Sequence, residues 1–325
     1  SLHFTPDTLH SCIEMNIKSL VKRLPGFPLI ARLLFNRSIS PDTYRDLCRL
    51  SNEQLLSLMC YESHRIEKAF YNNLLKTKPA VFQKRHHRLG QIYRILSERG
   101  SAGDSSIVAW SRGIYNAFPD LEAGFIRPRS APPPEFHPEA AEMFLKFLRS
   151  RRSVRVWAEQ QPPISELRRI ALLMIDAARW APNSCNRQTW RFRILHQAGE
   201  KALLKKLKEE HCTRAPLLIF VGIDTRLYGG MGKEERSIYI DAGAAITQML
   251  LVAHRCGLGS CWNHLGDDLI NSRQANRRIY ARFAEAMSIP AYIAPVALVA
   301  LGRPAFTPPC PARMERAGVM IGRDG

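Results

Sequence analysis

Apolar side chains recur at helical spacing through the first third of the chain. In "NEQLLSLMCYESHRIEKAFYNNLLK" they place Leu55, Met59, Ile66, Phe70 and Leu74 on one stripe, and Pro79 follows where the pattern stops. "FQKRHHRLGQIYRILSERG" repeats the rhythm through Leu89, Ile92 and Leu96, with Gly100 as the expected helix stop. Strand-like alternation is absent from this stretch, so residues 1–124 are expected to be all helical. His64 and Lys68 of "HRIEK" share a face one turn apart, which an exposed helical face with an intrahelical charge pair explains.

The pattern changes after "FIRPRSAPPPEFHPE" (125–139). Proline removes a backbone donor and biases the preceding residue away from helix, so this segment reads as an extended linker. Beyond it, "SELRRIALLMIDAARW" predicts a helix with Ser165 as N-cap and Leu167, Ile170, Ala171, Met174 and Ala178 buried. "WRFRILH" (190–196) alternates as a half-buried strand does. "PLLIFVGI" (216–223) and "APVALVALG" (294–302) are continuous apolar runs, as in strands covered on both faces. Between them lies a long helix, "SIYIDAGAAITQMLLVAHRCGLG". Helices interleaved with buried strands suggest α/β layering. The apolar run Ala242–Ala253 fits either the central helix of one subunit or a helix covered by a partner.

Composition narrows the picture only a little. Hydrophobic residues are 46% and charged residues 23%, as in ordinary globular proteins. No apolar stretch approaches the roughly 20 residues of a membrane span, and the first residues lack the layout of a signal peptide. A cytoplasmic protein with reduced thiols is the expectation. The 8 cysteines form no C-x-x-C pair and no His pair has zinc-ligand spacing, so no metal is expected.

The net charge of +18, from 47 Lys+Arg against 29 Asp+Glu, raises nucleic acid as a partner. The densest runs are "QKRHHR" (83–88), "RSRRSVR" (149–155) and "RQANRR" (273–278), and no nucleic-acid signature accompanies them. A small anionic ligand or a basic solvated surface fits them better.

Three segments could carry chemistry. Arg151, Arg152, Ser153 and Arg155 offer guanidinium forks and a hydroxyl within five residues, matched to phosphate. "WAPNSCNRQTWRF" (180–192) packs amides and a hydroxyl into a helix-to-strand loop between two tryptophans. The bland account is a well-capped turn; the sharper one is a loop gripping a polar, planar ligand. In "CGLGSCWNHL" (256–265) Gly257 reads as a helix stop, and Gly259 lets backbone run close beside something. These two glycines end a helix and do not open one, so they are no dinucleotide fingerprint.

In order, R-R-S-x-R, A-A-x-W-A-P-x-S-x-N-x-Q-x-W-x-F, D-x-G-x-A-x-x-Q-x-x-L-x-A-x-x-x-G-L-G-S-C-W and P-V-A-L-V-A-L-G-x-P resemble the nitroreductase family of FMN-dependent oxidoreductases over residues 144–316. The resemblance implies an α+β fold with a central mixed β-sheet flanked by helices, here preceded by an all-helical N-terminal region. It divides the chain into a helical domain 1–124, the linker 125–139 and an FMN-binding domain 140–325. It also implies a homodimer with FMN at the interface and NAD(P)H as electron donor.

Carried over by motif, Arg151, Arg152, Ser153 and Arg155 would hold the FMN phosphate and ribityl chain. Pro182, Asn183, Ser184 and Asn186 would reach the flavin from the other subunit, with Gln188 supporting them. Gly259 and Ser260 would present backbone to the ring, and Arg313, or alternatively Arg316, would lie near the phosphate. The tryptophans would flank the loop because it emerges from the core. Where the family usually has N-x-Q-P-W, this chain reads "NRQTW", so Arg187 and Thr189 alter the loop's stiffness and charge. "KEERSIYID" (233–241) is a candidate lid.

The leading expectation is two-step reduction of a small nitroaromatic, quinone-like or specialised acceptor, with flavin and solvent supplying the chemistry and no catalytic side chain named. A specialised flavin-dependent dehydrogenase or dehalogenase shares the fold. An FMN-holding regulatory protein with little turnover is the alternative of a different class, favoured if the helical region plugs the pocket.

Overall fold

A computed structural model describes residues 43–124, 135, 137–228, 237–266 and 274–321, except 73 and 104. Most of the proline-rich linker, half of the candidate lid and the first 42 residues lie outside them.

The helical region comprises α1 (Tyr44–Cys48), α2 (Asn52–Tyr71), α3 (Leu74–Thr77), α4 (Pro79–Glu98) and α5 (Ser106–Ala123). Ser51 and Gln54 form a reciprocal capping box at the start of α2, which satisfies two otherwise orphaned donors. Pro79 occupies the first turn of α4, where its missing N–H costs nothing. At the other end Gly100 takes φ 65°, and the Ser101 N–H closes back on the Leu96 carbonyl at 2.8 Å. Leu55, Met59, Ile66, Phe82, Leu89 and Ile92 share one core. Inside it the fully buried Glu62 receives Arg85 at 2.6 Å and Arg88 at 2.9 Å. The basic run 83–88 is therefore turned partly inward, as ion-pair structure.

The second region runs α6 (Pro138–Ser150), α7 (Ile164–Arg179), a 3₁₀ turn (Ser184–Asn186), β1 (Trp190–Leu195), α8 (Ala198–Ala202), α9 (Glu210–Thr213), β2 (Leu217–Asp224), α10 (Ser237–Arg255), β3 (Gly259–His264), α11 (Gln274–Ala286), β4 (Ile293–Gly302) and α12 (Arg316–Val319). The sheet order is β1-β2-β4-β3, with every neighbouring pair antiparallel. This corrects the α/β layering expected from the buried runs. β2 and β4 read as parallel-sheet strands because both their faces are covered, and burial, not strand direction, sets that pattern. The fold is α+β, and the sheet is mixed only through an isolated parallel bridge between Ser153 and Ser260.

Alternation along the strands feeds two cores. Ile219, Val221, Val299 and Leu301 pack under α7 and α10 with Leu167, Met174, Ile246 and Met249. Leu218, Phe220, Leu298 and Ala300 face the opposite way, toward Leu204, Tyr280 and Phe283. Each such side chain contributes about 1.5–3 kcal/mol relative to exposure, so this double-covered sheet is the rigid frame of the site.

One local expectation is corrected. The helix α7 begins at Ile164 with Pro163 at the N-cap, so Ser165 lies inside its first turn and caps nothing. The pair Pro162–Pro163 keeps the chain extended up to that point, and the helix starts as soon as it can. The apolar helix α10 buries Ile238, Ala242, Ala245, Ile246, Met249 and Ala253 within the chain, while Tyr239 and Ile240 at its start are exposed. No described helix is long and apolar enough to cross a membrane.

Candidate functional site

The sheet and α10 position two groups of polar side chains. The first lies at the C-terminal end of α10. After α6 stops at Ser150, the chain extends beside the start of β3: the Val154 N–H donates to the Ser260 carbonyl at 3.0 Å. Gly259 is required here, because a Cβ at that position would lie 2.7 Å from Val154. The close approach inferred for Gly259 is thus to the chain's own strand.

A pocket of about 210 Å³ opens beside this contact, bounded by residues 150–152, Val154, His254, 257–260, Pro304 and 306–308. Three buried polar atoms at its edge have no protein partner: Arg151 Nη1, Arg152 Nε and Ser260 Oγ. Buried donors are nearly always paired, so such a cluster calls for an acceptor from outside the protein. Burial, and then the charges of Arg313 and Arg152, push the Arg151 guanidinium below its ordinary value. An anion would reverse that penalty.

His254 was not singled out from the sequence. Its Nε2 lies 2.6 Å from Ser150 Oγ, and burial followed by the Arg151 and Arg152 charges holds its pKa below the ordinary value.

The expected residues do not all converge on this pocket. Arg151, Arg152, Gly259 and Ser260 line it. Strand-like alternation turns Val154 inward and leaves the Arg155 side chain exposed, while Ser153 makes the bridge to Ser260. Arg313 is exposed yet near enough to Arg151 to disfavour its charge, and Arg316 opens α12.

The second group surrounds the loop 182–188. Its hub is Asp241, near the N-terminal end of α10 and 2% exposed. One carboxylate oxygen accepts from the Ser184 backbone at 2.9 Å and from its hydroxyl at 3.0 Å. The other accepts from Tyr228 Oη at 2.7 Å, and Thr189 Oγ1 lies 2.8 Å from the same phenol. Burial, with Asp241 beside it, raises the Tyr228 pKa well above its ordinary value, so the phenol stays a donor. Trp190 Nε1 donates to the Asp241 carbonyl at 3.0 Å.

Within the loop, Asn183 Oδ1 accepts from the Gln188 N–H at 3.0 Å, and Gln188 Nε2 donates to Asn186 Oδ1 at 3.4 Å. Much of the loop's polarity is therefore spent on holding its own shape. That shape is costly: Cys185, Asn186 and Gln188 all have φ 54°, in the left-handed region that only Asn visits readily among these. Pro182 is exposed, and Asn183, Ser184 and Asn186 are half-buried.

The two tryptophans differ. Trp190 is buried, but Trp180 is 86% exposed, which corrects the expectation that the loop emerges from the core between two buried rings. Trp180 occupies the C-cap of α7, where the helix has already turned its residue outward.

The signal for Asp241 was present as a lone acid in an apolar helix. Nothing in the sequence identified Ser184 and Tyr228 as its partners. Thirteen residues of α10 separate Asp241 from His254, which at about 1.5 Å per residue puts the two groups about 20 Å apart in one subunit. Among the described residues, no group of His, Cys, Asp and Glu is arranged to hold a metal ion.

Comparison with known proteins shows what the second region is similar to. The family model described as "Nitroreductase family" matches residues 148–211 and 196–303. A protein of Archaeoglobus fulgidus named "Putative NADH dehydrogenase/NAD(P)H nitroreductase" is 29% identical over 169 residues, covering 50% of this chain and 86% of its own. A Methanothermobacter thermautotrophicus protein of the same name is 27% identical over 169 residues, covering 50% and 78%. Among solved structures, a Desulfovibrio desulfuricans protein described as "a putative nitroreductase in complex with fmn" is 28% identical, with TM-score 0.45, covering 56% of this chain and 96% of its own.

Proposed function

We propose that this chain, whose residues 148–303 belong to the nitroreductase family, is an FMN-dependent NAD(P)H oxidoreductase acting on a small organic acceptor. The carrying observation is the pocket in which Arg151, Arg152 and Ser260 bury polar atoms without protein partners. Those residues suit a phosphate: Arg151, Arg152, the Ser260 hydroxyl and the His254 imidazole line one pocket, and among the described residues no carboxylate does. The division into a helical unit 1–124, linker 125–139 and flavin unit 140–325 belongs to the same reading.

Bound FMN would supply two-electron redox chemistry between NAD(P)H and a nitroaromatic, quinone-like or specialised acceptor. The protein's part is holding and shaping. Arg151, Arg152 and Ser260 bind the phosphate, and His254 completes that wall. Asn183, Ser184 and Asn186 form a polar edge toward the ring, and Asp241 fixes it through Ser184. Among the described residues, those that line the phosphate pocket all come from the second region.

The site is shared between two copies in this reading. The loop and the arginines of one subunit lie about 20 Å apart along α10, so each would serve a flavin with the other group of a partner. Helix α6 buries none of its residues in the single chain, leaving Met143, Phe144, Leu145 and Leu148 exposed. Leu172, Leu173 and, at the end of α7, Trp180 are exposed as well. An exposed apolar face such as that of α6 marks an association surface.

Purified protein should be yellow, release FMN and not FAD on denaturation, and bleach within seconds when NADH or NADPH is added without oxygen. Colourless protein that cannot be reconstituted with FMN rejects the reading. Mixing Asn186→Ala protein with Arg151→Ala protein should restore part of the FMN occupancy through heterodimers that keep one intact site. Full occupancy on a strictly monomeric species in sedimentation rejects the shared site.

A further inference from the structure

The helical region meets the candidate flavin loop through one narrow stripe. Ser57, Cys60 and Tyr61 stand at positions i, i+3 and i+4 of α2, on a common face. Each touches the loop. Ser57 Oγ donates to the Arg187 carbonyl at 2.7 Å. Gln188 Nε2 lies 3.6 Å from Cys60 Sγ. The Arg187 guanidinium lies 4.4 Å from the centre of the Tyr61 ring.

These contacts differ in kind from the helical core. Apart from the Glu62 ion pairs, the interior of that region is built from apolar side chains such as Leu55, Met59, Ile66, Leu89 and Ile92. The stripe facing the loop is polar and aims a hydroxyl at a backbone carbonyl and a ring at a cation. Burial pushes the Cys60 thiol up to about 12, so it acts here as a neutral packing group.

Arg187 is the unusual member. It is 6% exposed, although an arginine is rarely buried without compensation. Its compensation comes from both regions. Tyr61 lies on the helical side, while Tyr228, 5.9 Å away, lies on the sheet side and is tied to Asp241. Arg187 Nη1 also reaches back to the Ser184 carbonyl at 3.3 Å. One side chain thus joins α2 to the Asp241 network, across a loop whose Cys185, Asn186 and Gln188 sit at φ 54°. Strained backbone of that kind persists only where the surroundings over-determine it.

We infer that the helical region is a positioning element for the flavin-side loop: α2 clasps Arg187 through Tyr61 and Ser57 and thereby holds Asn183–Asn186 in the geometry that meets the flavin ring. The inference rests on the proposed FMN reading of that loop. Tyr61, Ser57 and Arg187 are positioning residues, acting on the flavin through the loop backbone. Arg187 fills the variable position of the N-x-Q-P-W pattern, and in this chain it is the handle that α2 grips.

The test uses the full chain in two arms. In flavin-free protein, amide hydrogen exchange at residues 184–188 is compared for wild type, Tyr61→Leu, Tyr61→Phe, Ser57→Ala and Arg187→Met. Tyr61→Leu should speed exchange there about tenfold, the scale of a desolvated cation–ring contact. Tyr61→Phe, which keeps the ring face, should stay near wild type, and Ser57→Ala should fall between. Exchange in β2 should not change. Tyr61→Leu combined with Arg187→Met should add little to either alone. Because Arg85 also lies 5.4 Å from the Tyr61 ring, the Arg187→Met arm reads the clasp from the loop side independently.

In the second arm, FMN and riboflavin are titrated into the same proteins. Tyr61→Leu should weaken both equally, by about fivefold to tenfold, and shift the visible flavin band, because the loop meets the ring and not the phosphate. Unchanged exchange at 184–188, or additive effects of the pair, overturns the clasp. Faster exchange with unaltered flavin affinity and spectrum overturns its role at the site. Wild-type protein that binds neither flavin overturns the reading on which the inference rests.

Discussion

Asp241 offers the sharpest perturbation of the loop. Its carboxylate accepts three hydrogen bonds, from the Ser184 backbone at 2.9 Å, the Ser184 hydroxyl at 3.0 Å and the Tyr228 phenol at 2.7 Å. Hydrogen bonds to a charged group contribute about 1.5–3 kcal/mol each, and groups sharing one acceptor do not add fully. Asp241→Ala removes all three and leaves buried donors unpaired, so the expected cost is about 3–5 kcal/mol. Asp241→Asn should cost less, about 1–2 kcal/mol. Its amide oxygen can still accept from Ser184, and the Tyr228 hydroxyl can turn toward Thr189, which lies 2.8 Å away. The assay is urea unfolding followed by tryptophan fluorescence and circular dichroism, with the slope compared so that only midpoint shifts count as stability. The ranking Ala worse than Asn is the core of the expectation. A loss below about 1 kcal/mol for Asp241→Ala, or equal losses for the two variants, would refute Asp241 as the anchor of the loop.

Other outcomes follow from the same geometry. Arg151→Ala should weaken FMN about 10- to 100-fold and riboflavin far less, since one charge-assisted phosphate contact is lost; parallel titrations check it, and equal losses mean Arg151 does not see phosphate. Glu62→Ala leaves Arg85 and Arg88 without their shared buried partner and should cost about 3–5 kcal/mol in urea unfolding. A cost within experimental error would mean water enters that cluster freely. His64, His86 and His254 all have folded pKa values held below the ordinary histidine value, chiefly by burial. The unfolded chain therefore binds protons that the folded chain refuses, so stability is complete above the unfolded pKa of about 6.5 and is lost as pH falls below it toward the folded values. His86→Gln, which removes the ring stacked 4.1 Å from Tyr115, should flatten that decline, and an unaltered slope between pH 7 and 5 would exclude His86 from it.

What the sequence made legible was set by how far apart the interacting residues lie. The five buried positions of α7, Leu167, Ile170, Ala171, Met174 and Ala178, follow from periodicity within a single helix. Strands β2 and β4 announce themselves as apolar runs, but not their antiparallel direction, which depends on pairing such as Ile219 with Val299. Strand β3 goes unannounced in the sequence, where only the helix stop at Gly257 just before it is legible. Its six residues begin Gly-Ser, carry no clear alternation, and become a strand by pairing with β4. The phosphate-type cluster was half legible. Arg151 and Arg152 belong to a local motif, whereas His254 joins them from about a hundred residues away. Arg155 falls outside the pocket because an extended chain must turn alternate side chains apart.

The loop shows the same limit at closer range, and it bears on how the two regions evolve their roles within one chain. Its polar composition suggested ligand contact, yet Asn183, Ser184 and Gln188 each spend hydrogen bonds on the loop itself or on Asp241. A side chain that shapes the loop and one that meets a ligand are the same residue types, so composition alone could not separate them. Arg187 sharpens the point. In sequence it reads as one more exposed cation in a strongly basic chain. In the fold it is buried between Tyr61 and Tyr228, where its value depends on a helix more than a hundred residues upstream. Removing the helical region would therefore do more than delete a separate core. It would expose a desolvated guanidinium contact and release three left-handed residues at once, and the first property to change should be the loop's geometry, ahead of the stability of the sheet beneath it.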